Sequence, residues 1–332
     1  MTTEKTMFND EQKWRYINKK ESEVTLAPGF LQNIFRKASL FEEKNNKDLC
    51  EWTLTEIIEF YKFQDLYSLE SIALLNSNYA SYTNWCLTET LVPDGQNHFL
   101  EVDYNVMMNC VNTSLVEKTI ITREELEERA DTLINYTDRF VFYALFEGIC
   151  GKQFEEITKA KPSDISGNVI HLCTGRIVAI TSKLREVAES AATEEIYQSY
   201  GESGYGFKYR ADDDYICKMV NNKRQNDGND DKNRAQVLGR RYVNAVNYAG
   251  LPRQLTPKRL MVSGKIDYIK RIMQREGLPL EETLRKHREE IDYIYPVERL
   301  KSIQLFVKKY QKIIEKQLNR NLGKQAIDLV GR

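Results

Sequence analysis

The chain has 332 residues, of which 41% are hydrophobic and 29% charged, and its 48 basic side chains nearly balance its 49 acidic ones. This length predicts two domains, because a domain usually holds about 150 residues, and the composition excludes a wholly disordered chain. The longest apolar run, about eleven residues from Phe140 to Cys150, excludes a membrane-spanning helix, which needs about 20.

The first part of the chain is predicted to be helical. Residues 1–50 hold two aromatic and basic segments, which indicate an N-terminal extension with a short helix. Thr53 and Glu56 have the spacing of a capping box, which predicts a helix from there on. Ser68 can cap the next helix, since apolar side chains recur every three or four residues over 69–86.

A turn marks the predicted linker between the domains. Pro93, Asp94 and Gly95 favour a turn, and the periodicity is weak around them. The sequence therefore predicts a helical module with its linker over residues 51–103 and a second domain over residues 104–332.

The second domain is predicted to be mostly helical with one β-hairpin. Two β-rich runs flank a turn at Cys173 to Arg176 within residues 168–181. Thr122 and Glu125 form a second capping box. A loop is predicted over 201–214, and helices over 123–134, 137–149, 182–200, 231–250, 255–276, 280–291 and 297–321.

The near-zero net charge hides an asymmetry. Residues 101–214 carry 12 basic and 21 acidic side chains, whereas residues 215–332 carry 26 basic and 13 acidic ones. Such a split indicates a polyanionic partner, although Lys and Arg also occur on ordinary solvated helix faces.

The cysteines and histidines predict no redox or metal chemistry. The six cysteines lie far apart without a C-x-x-C pair, and the three histidines are not spaced as metal ligands. We expect buried free thiols in a reducing setting, no metal and no other cofactor. The polar N-terminus lacks a signal-peptide pattern, so we expect a cytoplasmic protein without a membrane partner.

Several strings resemble the tyrosine recombinase, or phage integrase, family. The string CGKQFEEI at 150–157, followed by KPSDI at 161–165, is similar to the family's T-G-L-R-x-x-E-L and W-S-D-I elements. YAGL at 248–251 and LTPKRLM at 255–261 resemble its a-G-L and t-P-H-x-L-R segments. The resemblance covers residues 53–310. It implies a mainly α fold of two domains, in which a helical core-binding (SAM-like) module precedes a mostly helical catalytic-like domain with a small β-hairpin.

The resemblance also implies that the catalytic positions are degenerate. In the family, two arginines hold the phosphodiester, a hairpin lysine and histidines assist, and a tyrosine attacks. The matching positions here are Gln153, Lys258, Met261, Lys286 (with His287 one residue away) and Tyr295. Since loss of one such donor costs about 10²–10³ in rate, we expect no catalytic residue and no enzyme activity. An aromatic on an amphipathic helix is more often core than a nucleophile.

A recombinase fold without strand cleavage resembles the MrpR family, the master repressors that maintain lysogeny in SPβ-like Bacillus phages. This resemblance implies a phage- or prophage-encoded protein that binds double-stranded operator DNA and silences lytic genes in the bacterial host cell. An antirepressor or ligand that ends repression is not identified by the sequence.

Side-chain chemistry selects the candidate DNA contacts. Arg pairs with guanine and Asn or Gln with adenine, often from the start of a helix in the major groove. On the helix from Asp231 we expect Asn233, Arg234 and Gln236 to read bases, and Lys232, Arg240 and Arg241 to contact phosphates. Lys258, Arg259, Lys286 and His287 stand at the former phosphate pocket, and Asn76, Asn78 and Ser81 are the candidates in the first module. In each case a solvated helix face is the alternative.

The sequence is also compatible with two other functions and with a homodimer. One is an active recombinase that uses Tyr295, and the other is an accessory nucleoprotein factor without sequence preference. The last helix carries apolar side chains from Leu300 to Leu318 at helical spacing. It is therefore either part of the core or a docking helix of a homodimer.

Overall fold

Helices form most of the computed structural model, which describes residues 7–66, 68–201, 204–221, 230–298, 300 and 303–330. The chain divides into two units, Met1–Val116 and Glu117–Arg332. This confirms the mainly α, two-domain architecture predicted from the sequence.

The first unit is a helical bundle with its own core. Its helices are α1 Asp10–Glu23, α2 Phe30–Asn45, α3 Leu54–Phe63, α4 Leu69–Thr88 and α5 Tyr104–Cys110, and α6 Thr113–Lys118 spans the boundary between the units. The predicted caps are confirmed, because Thr53 and Glu56 form a capping box and the Ser68 side chain accepts from Ser71 N. Such caps satisfy backbone amides that lack a partner at a helix start.

Residues 7–50 contribute to this core and are not an extension. Tyr16 of α1 and Phe35 of α2 are at most 3% exposed and pack edge-on against Tyr82 of α4. The structure thus corrects the predicted borders at residues 50 and 103, since helices of both predicted segments share one set of buried side chains. The aromatic residues that suggested an extension are the ones that fill this core.

The second unit is built around α8, whose side chains are buried almost without exception. Its helices are α7 Arg123–Ala130, α8 Tyr136–Phe146, α9 Glu155–Thr158, α10 Ser182–Thr193, α11 Asp230–Tyr248, α12 Pro257–Glu276, α13 Leu280–Lys286, α14 Arg288–Ile294 and α15 Ile303–Val330. α10 and α12 pack against α8. At Gly264 the α12 backbone lies so close that an added Cβ would be 1.6 Å from the Phe146 carbonyl oxygen.

The described residues of this unit also form two small antiparallel sheets. β1 Ile165–Ser166, β2 Val169–His171 and β3 Ile177–Ala179 form the first in that order, with Ile170 opposite Val178. This confirms the predicted hairpin.

Two other predicted elements differ in the structure. β4 Ile196–Gln198 and β5 Gly206–Lys208 form a second antiparallel pair, where the sequence predicts the end of a helix and part of a loop. The helix predicted over 280–291 is interrupted at His287, whose ψ of 18° departs from helical geometry.

The final helix packs on its own unit over the residues whose side chains are described. Phe306, Tyr310 and Ile314 are buried, and α13 is the main helix against which α15 packs. These side chains therefore belong to the core, which argues against a homodimer formed through the same apolar face. Within the described residues no helix is long and apolar enough to cross a membrane. Four cysteines are buried as expected, but Cys150 is partly exposed and Cys173 is exposed.

Candidate nucleic-acid interface

One face of α11 is polar, basic and open to solvent. Lys232, Gln236, Arg240, Asn244 and Asn247 are exposed and follow one another at helical spacing along the same side. Lys232 and Arg240 have no ion-pair partner among the described residues. No acidic residue occurs anywhere between positions 231 and 267. The face thus offers positive charge together with amide donors and acceptors, and none of its own five side chains is acidic.

Two of the predicted contacts on α11 point into the protein instead. Arg234 is 6% exposed and pairs with Asp213 at 2.8 Å, while Arg241 is 7% exposed and pairs with Asp138 at 2.8 Å. Both side chains also lie over tyrosine rings. The structure therefore corrects their assignment as a base reader and a phosphate contact, because a buried guanidinium cannot leave its carboxylate without a large desolvation penalty.

Helical geometry explains which of the predicted DNA contacts on α11 face solvent. Positions 234 and 241 are seven residues apart and thus share a face with buried Leu238 and Ala245. Lys232, Gln236 and Arg240 lie on the opposite face and are exposed, and Asn233 is half-buried beside them. Asn244 and Asn247 are not among the sequence predictions, which take base-reading amides from the first turns of the helix and only arginines further along; their spacing from Arg240 is the signal that could have identified them.

A groove of about 470 Å³ runs beside the second half of this face. The groove is lined by Tyr242, Val243, Val246, Asn247, Arg253, Leu255, Thr256 and Pro257. Arg253 is exposed and has no ion-pair partner among the described residues. Arg253 thus adds a cation to the border of the α11 face, and it too was missed from sequence.

The cations expected at the former phosphate pocket do not converge. Lys258 lies in the first turn of α12 and approaches Glu298, whereas Lys286 pairs at 2.7 Å with Glu276 at the other end of α12. Eighteen helical residues separate positions 258 and 276, about 27 Å at 1.5 Å per residue. A single phosphate cannot be held by both lysines. Arg259 is buried and donates to the Tyr310 hydroxyl, so it joins α12 to α15.

Acidic side chains already neutralise the cluster at Lys286 and His287. His287 contacts Glu290 at 2.8 Å and Glu276 at 3.1 Å. These hydrogen bonds, the one to Glu290 foremost, raise the pKa of His287, and those from Lys286, His287 and Arg275 lower the pKa of Glu276 to about 2. This cluster is a weaker candidate for phosphate contact than the α11 face.

Tyr295, the predicted nucleophile position, lies inside the core. Tyr295 is 2% exposed, and its hydroxyl donates to the Phe146 carbonyl oxygen at 3.1 Å. Burial raises the pKa of this hydroxyl well above its usual value. The backbone before Tyr295 packs closely against Gly148, since an added Cβ at Gly148 would be 2.2 Å from the Ile294 carbonyl oxygen. An attack by Tyr295 on a phosphodiester would require this packing to open.

The other degenerate positions are equally unsuited to phosphate. Gln153 is exposed in a loop where it adopts a positive φ of 54°, and Met261 is a 5% exposed core residue. The hairpin offers Arg176, but this guanidinium pairs with buried Glu156 at 2.8 Å and donates to the Ile294 carbonyl. It therefore joins the hairpin to the segment before Tyr295.

Two of the three candidates in the first unit serve the fold. The Asn76 amide accepts from Tyr61 and donates to the Phe99 carbonyl, which links α4 to neighbouring elements. Ser81 accepts from the Tyr16 hydroxyl at 2.9 Å and links α4 to α1. Asn78 donates to the Leu74 carbonyl of its own helix and stays partly exposed. Among the described residues no group of His, Cys, Asp and Glu side chains could hold a metal ion.

Comparisons with known proteins give matches across both units. Residues 7–88 match the family model "MrpR, N-terminal core-binding domain", and residues 120–320 match "MrpR, C-terminal catalytic domain". The chain is 27% identical over 237 residues, 67% of its length and 70% of the relative's, to "SPbeta prophage-derived uncharacterized protein YopR" of Bacillus subtilis (strain 168).

Solved structures with a low similarity include two recombinases. A crystal structure of XerA recombinase is 12% identical with a TM-score of 0.40, covering 95% of this chain and 98% of that one. A lambda integrase (75–356) dimer bound to a COC' core site is 15% identical with a TM-score of 0.41, covering 84% and 91%.

Proposed function

Because the chain belongs to the MrpR family of tyrosine-recombinase-like proteins, we propose that it is a sequence-specific DNA-binding transcriptional repressor that does not cleave DNA. The observation that carries the proposal is the exposed face of α11, on which amide side chains accompany cations that have no ion-pair partner in the described part of the chain. Cations that contact phosphates supply affinity, and amides that contact base edges supply specificity. Lys232, Gln236, Arg240, Asn244 and Asn247 are the proposed contacts, with Asn233 and Arg253 at the border.

The buried state of Tyr295 supports the absence of cleavage in this proposal. The residues at the two phosphate-binding arginine positions are an amide and a thioether, and Tyr295 donates to a backbone carbonyl within the core. Similarity to a prophage-derived protein supports a phage or prophage context, in which the proposed role is to silence lytic genes within the bacterial host. The proposed partner is double-stranded operator DNA; an antirepressor or a ligand would end repression.

Gel shifts with tiled fragments of the source genome test this function. The purified full chain is incubated with each fragment, excess nonspecific competitor and either of two salt concentrations, and each retained fragment is also offered as a nicked suicide substrate. We expect a few fragments to be retained at both salts, without a covalent adduct on denaturing gels. Equal, salt-sensitive retention of all fragments would indicate an accessory factor, and an adduct would indicate a recombinase.

A further inference from the structure

Gly239 lies in the interior of α11, where the described residues give no reason for a glycine. Glycine is less favourable in a helix interior than any residue except proline. Among the described residues an added Cβ at this position would meet nothing within 4 Å, and φ is not in the left-handed region. Neither packing against these residues nor backbone conformation therefore requires a residue without a side chain.

Val243, one turn further along, is equally unexplained. Its side chain is 57% exposed, although it lies on a face that is otherwise polar. Gln236 precedes Gly239 by three residues, and Arg240 and Asn247 flank Val243 at three and four residues, so all five share one side of the helix. Because Gly239 has no side chain, this face has a hollow at that position, with the exposed apolar side chain of Val243 beside it and polar or basic side chains around both.

The charge and shape of the α11 face around Gly239 and Val243 favour one kind of ligand. Arg240 has no ion-pair partner among the described residues, and Arg253 borders the adjoining groove. A polyanion that approaches a helix closely, and that carries a small apolar group beside hydrogen-bonding groups, fits these properties. In duplex DNA that group is the thymine C5-methyl, which projects into the major groove next to the O4 acceptor.

We propose that Gly239 and Val243 form a thymine-reading site on α11, in which the missing side chain of Gly239 admits the base edge and Val243 contacts the methyl group. The site rests on the proposed DNA-binding function and gives it a specificity-determining pair. Gln236 and Arg240 hold the same stretch of DNA by hydrogen bonds and charge.

The test compares thymine with uracil, which lacks only the methyl group. A fragment retained by the wild-type chain is synthesised with uracil in place of one thymine at a time, and affinity is measured by fluorescence anisotropy. We expect one position at which uracil weakens wild-type binding about fourfold, which corresponds to the ~0.8 kcal/mol of one buried methylene-sized group. Val243→Ala should bind thymine and uracil probes equally at that position, whereas Val24→Ala, which alters a 48% exposed valine in the first unit, should discriminate as the wild type does.

Gly239→Ala tests the close approach independently. Alanine is tolerated by the fold and favoured in a helix, so the Tm should stay equal or rise while affinity for the retained fragment falls about tenfold.

Retained binding with no uracil effect at any position would overturn the thymine site but not the DNA-binding function. Wild-type affinity in Gly239→Ala would overturn the close approach. A changed oligomeric state in Val243→Ala, with unchanged DNA affinity, would identify the hollow as a protein contact, and absence of any DNA binding by the wild type would overturn both proposals.

Discussion

The Tyr295 hydroxyl donates to the carbonyl oxygen of Phe146 at the C-terminal end of α8, 3.1 Å away. The residue predicted from sequence at the nucleophile position is thus a structural anchor between the segment after α14 and the central helix. Gly148 and Arg176 hold the same segment through the backbone of Ile294.

We predict that Tyr295→Phe lowers stability and leaves DNA binding unchanged. The substitution removes one hydrogen bond in the core, which contributes about 0.5–1.5 kcal/mol, and it leaves the surface of α11 intact. Urea denaturation followed by far-UV circular dichroism measures the first effect, and gel shifts measure the second. A loss of DNA affinity in a folded Tyr295→Phe protein would contradict the structural role.

The adjacent residues Arg240 and Arg241 should respond in opposite ways to alanine. Arg241 donates to Asp138, Thr137 and the Lys218 carbonyl, so Arg241→Ala leaves a buried carboxylate unpaired and should cost about 3–5 kcal/mol of stability. Arg240 is exposed, so Arg240→Ala should keep the wild-type Tm. It should weaken DNA binding and reduce the slope of log affinity against log salt by about 1.

The same two measurements on each variant separate these roles. In thermal denaturation, Arg241→Ala should have a lower Tm than both the wild type and Arg240→Ala. In salt titrations of binding, Arg240→Ala should have a smaller slope than the wild type. Equal salt slopes for Arg240→Ala and the wild type would remove Arg240 from the interface.

The contact between α12 and α8 predicts that Gly264 does not tolerate alanine. The new Cβ would occupy the space of the Phe146 carbonyl, so the two helices must separate. We expect a loss of more than about 3 kcal/mol in stability, at the upper end of overpacking effects. Far-UV circular dichroism during urea denaturation measures it. Gly277→Ala is the control. None of the described atoms lies within 4 Å of a Cβ at Gly277, so only the left-handed φ of 66° adds strain there. Equal stability of the two variants would contradict the close contact at Gly264.

The buried cluster of Lys13, Glu42 and Asp48 should make the first unit sensitive to pH. Burial raises the pKa of Glu42 to about 7, above the ~4.3 of an unfolded chain. A carboxyl with a raised pKa stabilises the fold while it is protonated, so this contribution is complete below pH ~4.3 and is lost as the pH rises through 7. From pH 4 to pH 8 the free energy of unfolding should fall by up to about 3 kcal/mol more in the wild type than in Glu42→Gln.

Tryptophan fluorescence reports on this unit alone, because Trp14, Trp52 and Trp85 are the three tryptophans of the chain. Urea denaturation curves at several pH values give the required free energies. Parallel pH profiles for the wild type and Glu42→Gln would show that Glu42 is ionised throughout.

Local patterns predicted the elements better than they predicted the site. The capping boxes at Thr53 and Thr122 and the hairpin turn before Arg176 are decided by neighbouring residues, and the structure contains all three. The strand pair at 196–198 and 206–208 was missed because its strands have three residues each, too short for a clear alternation of polar and apolar side chains.

The errors at the site have a different cause. The guanidinium groups of Arg234 and Arg241 predict a contact to a base and to a phosphate, whereas their partners Asp213 and Asp138 lie far away in sequence, so only the fold reveals the ion pairs. That both arginines lie on the same helix face as apolar Leu238 could nevertheless be read from the sequence. Lys258 and Lys286 were grouped by alignment to a motif, and the length of α12 separates them.

The most direct test of the account is the specificity ratio, the affinity for a retained genomic fragment divided by that for a shuffled fragment of equal length. It is measured at one fixed salt concentration for the wild type and for an Asn244→Ala/Asn247→Ala double variant. Because these amides face solvent on α11 and are proposed to contact base edges, we predict that the ratio falls at least tenfold in the double variant while affinity for shuffled DNA is retained. An unchanged ratio in a folded double variant would contradict the claim that this face of α11 reads the operator.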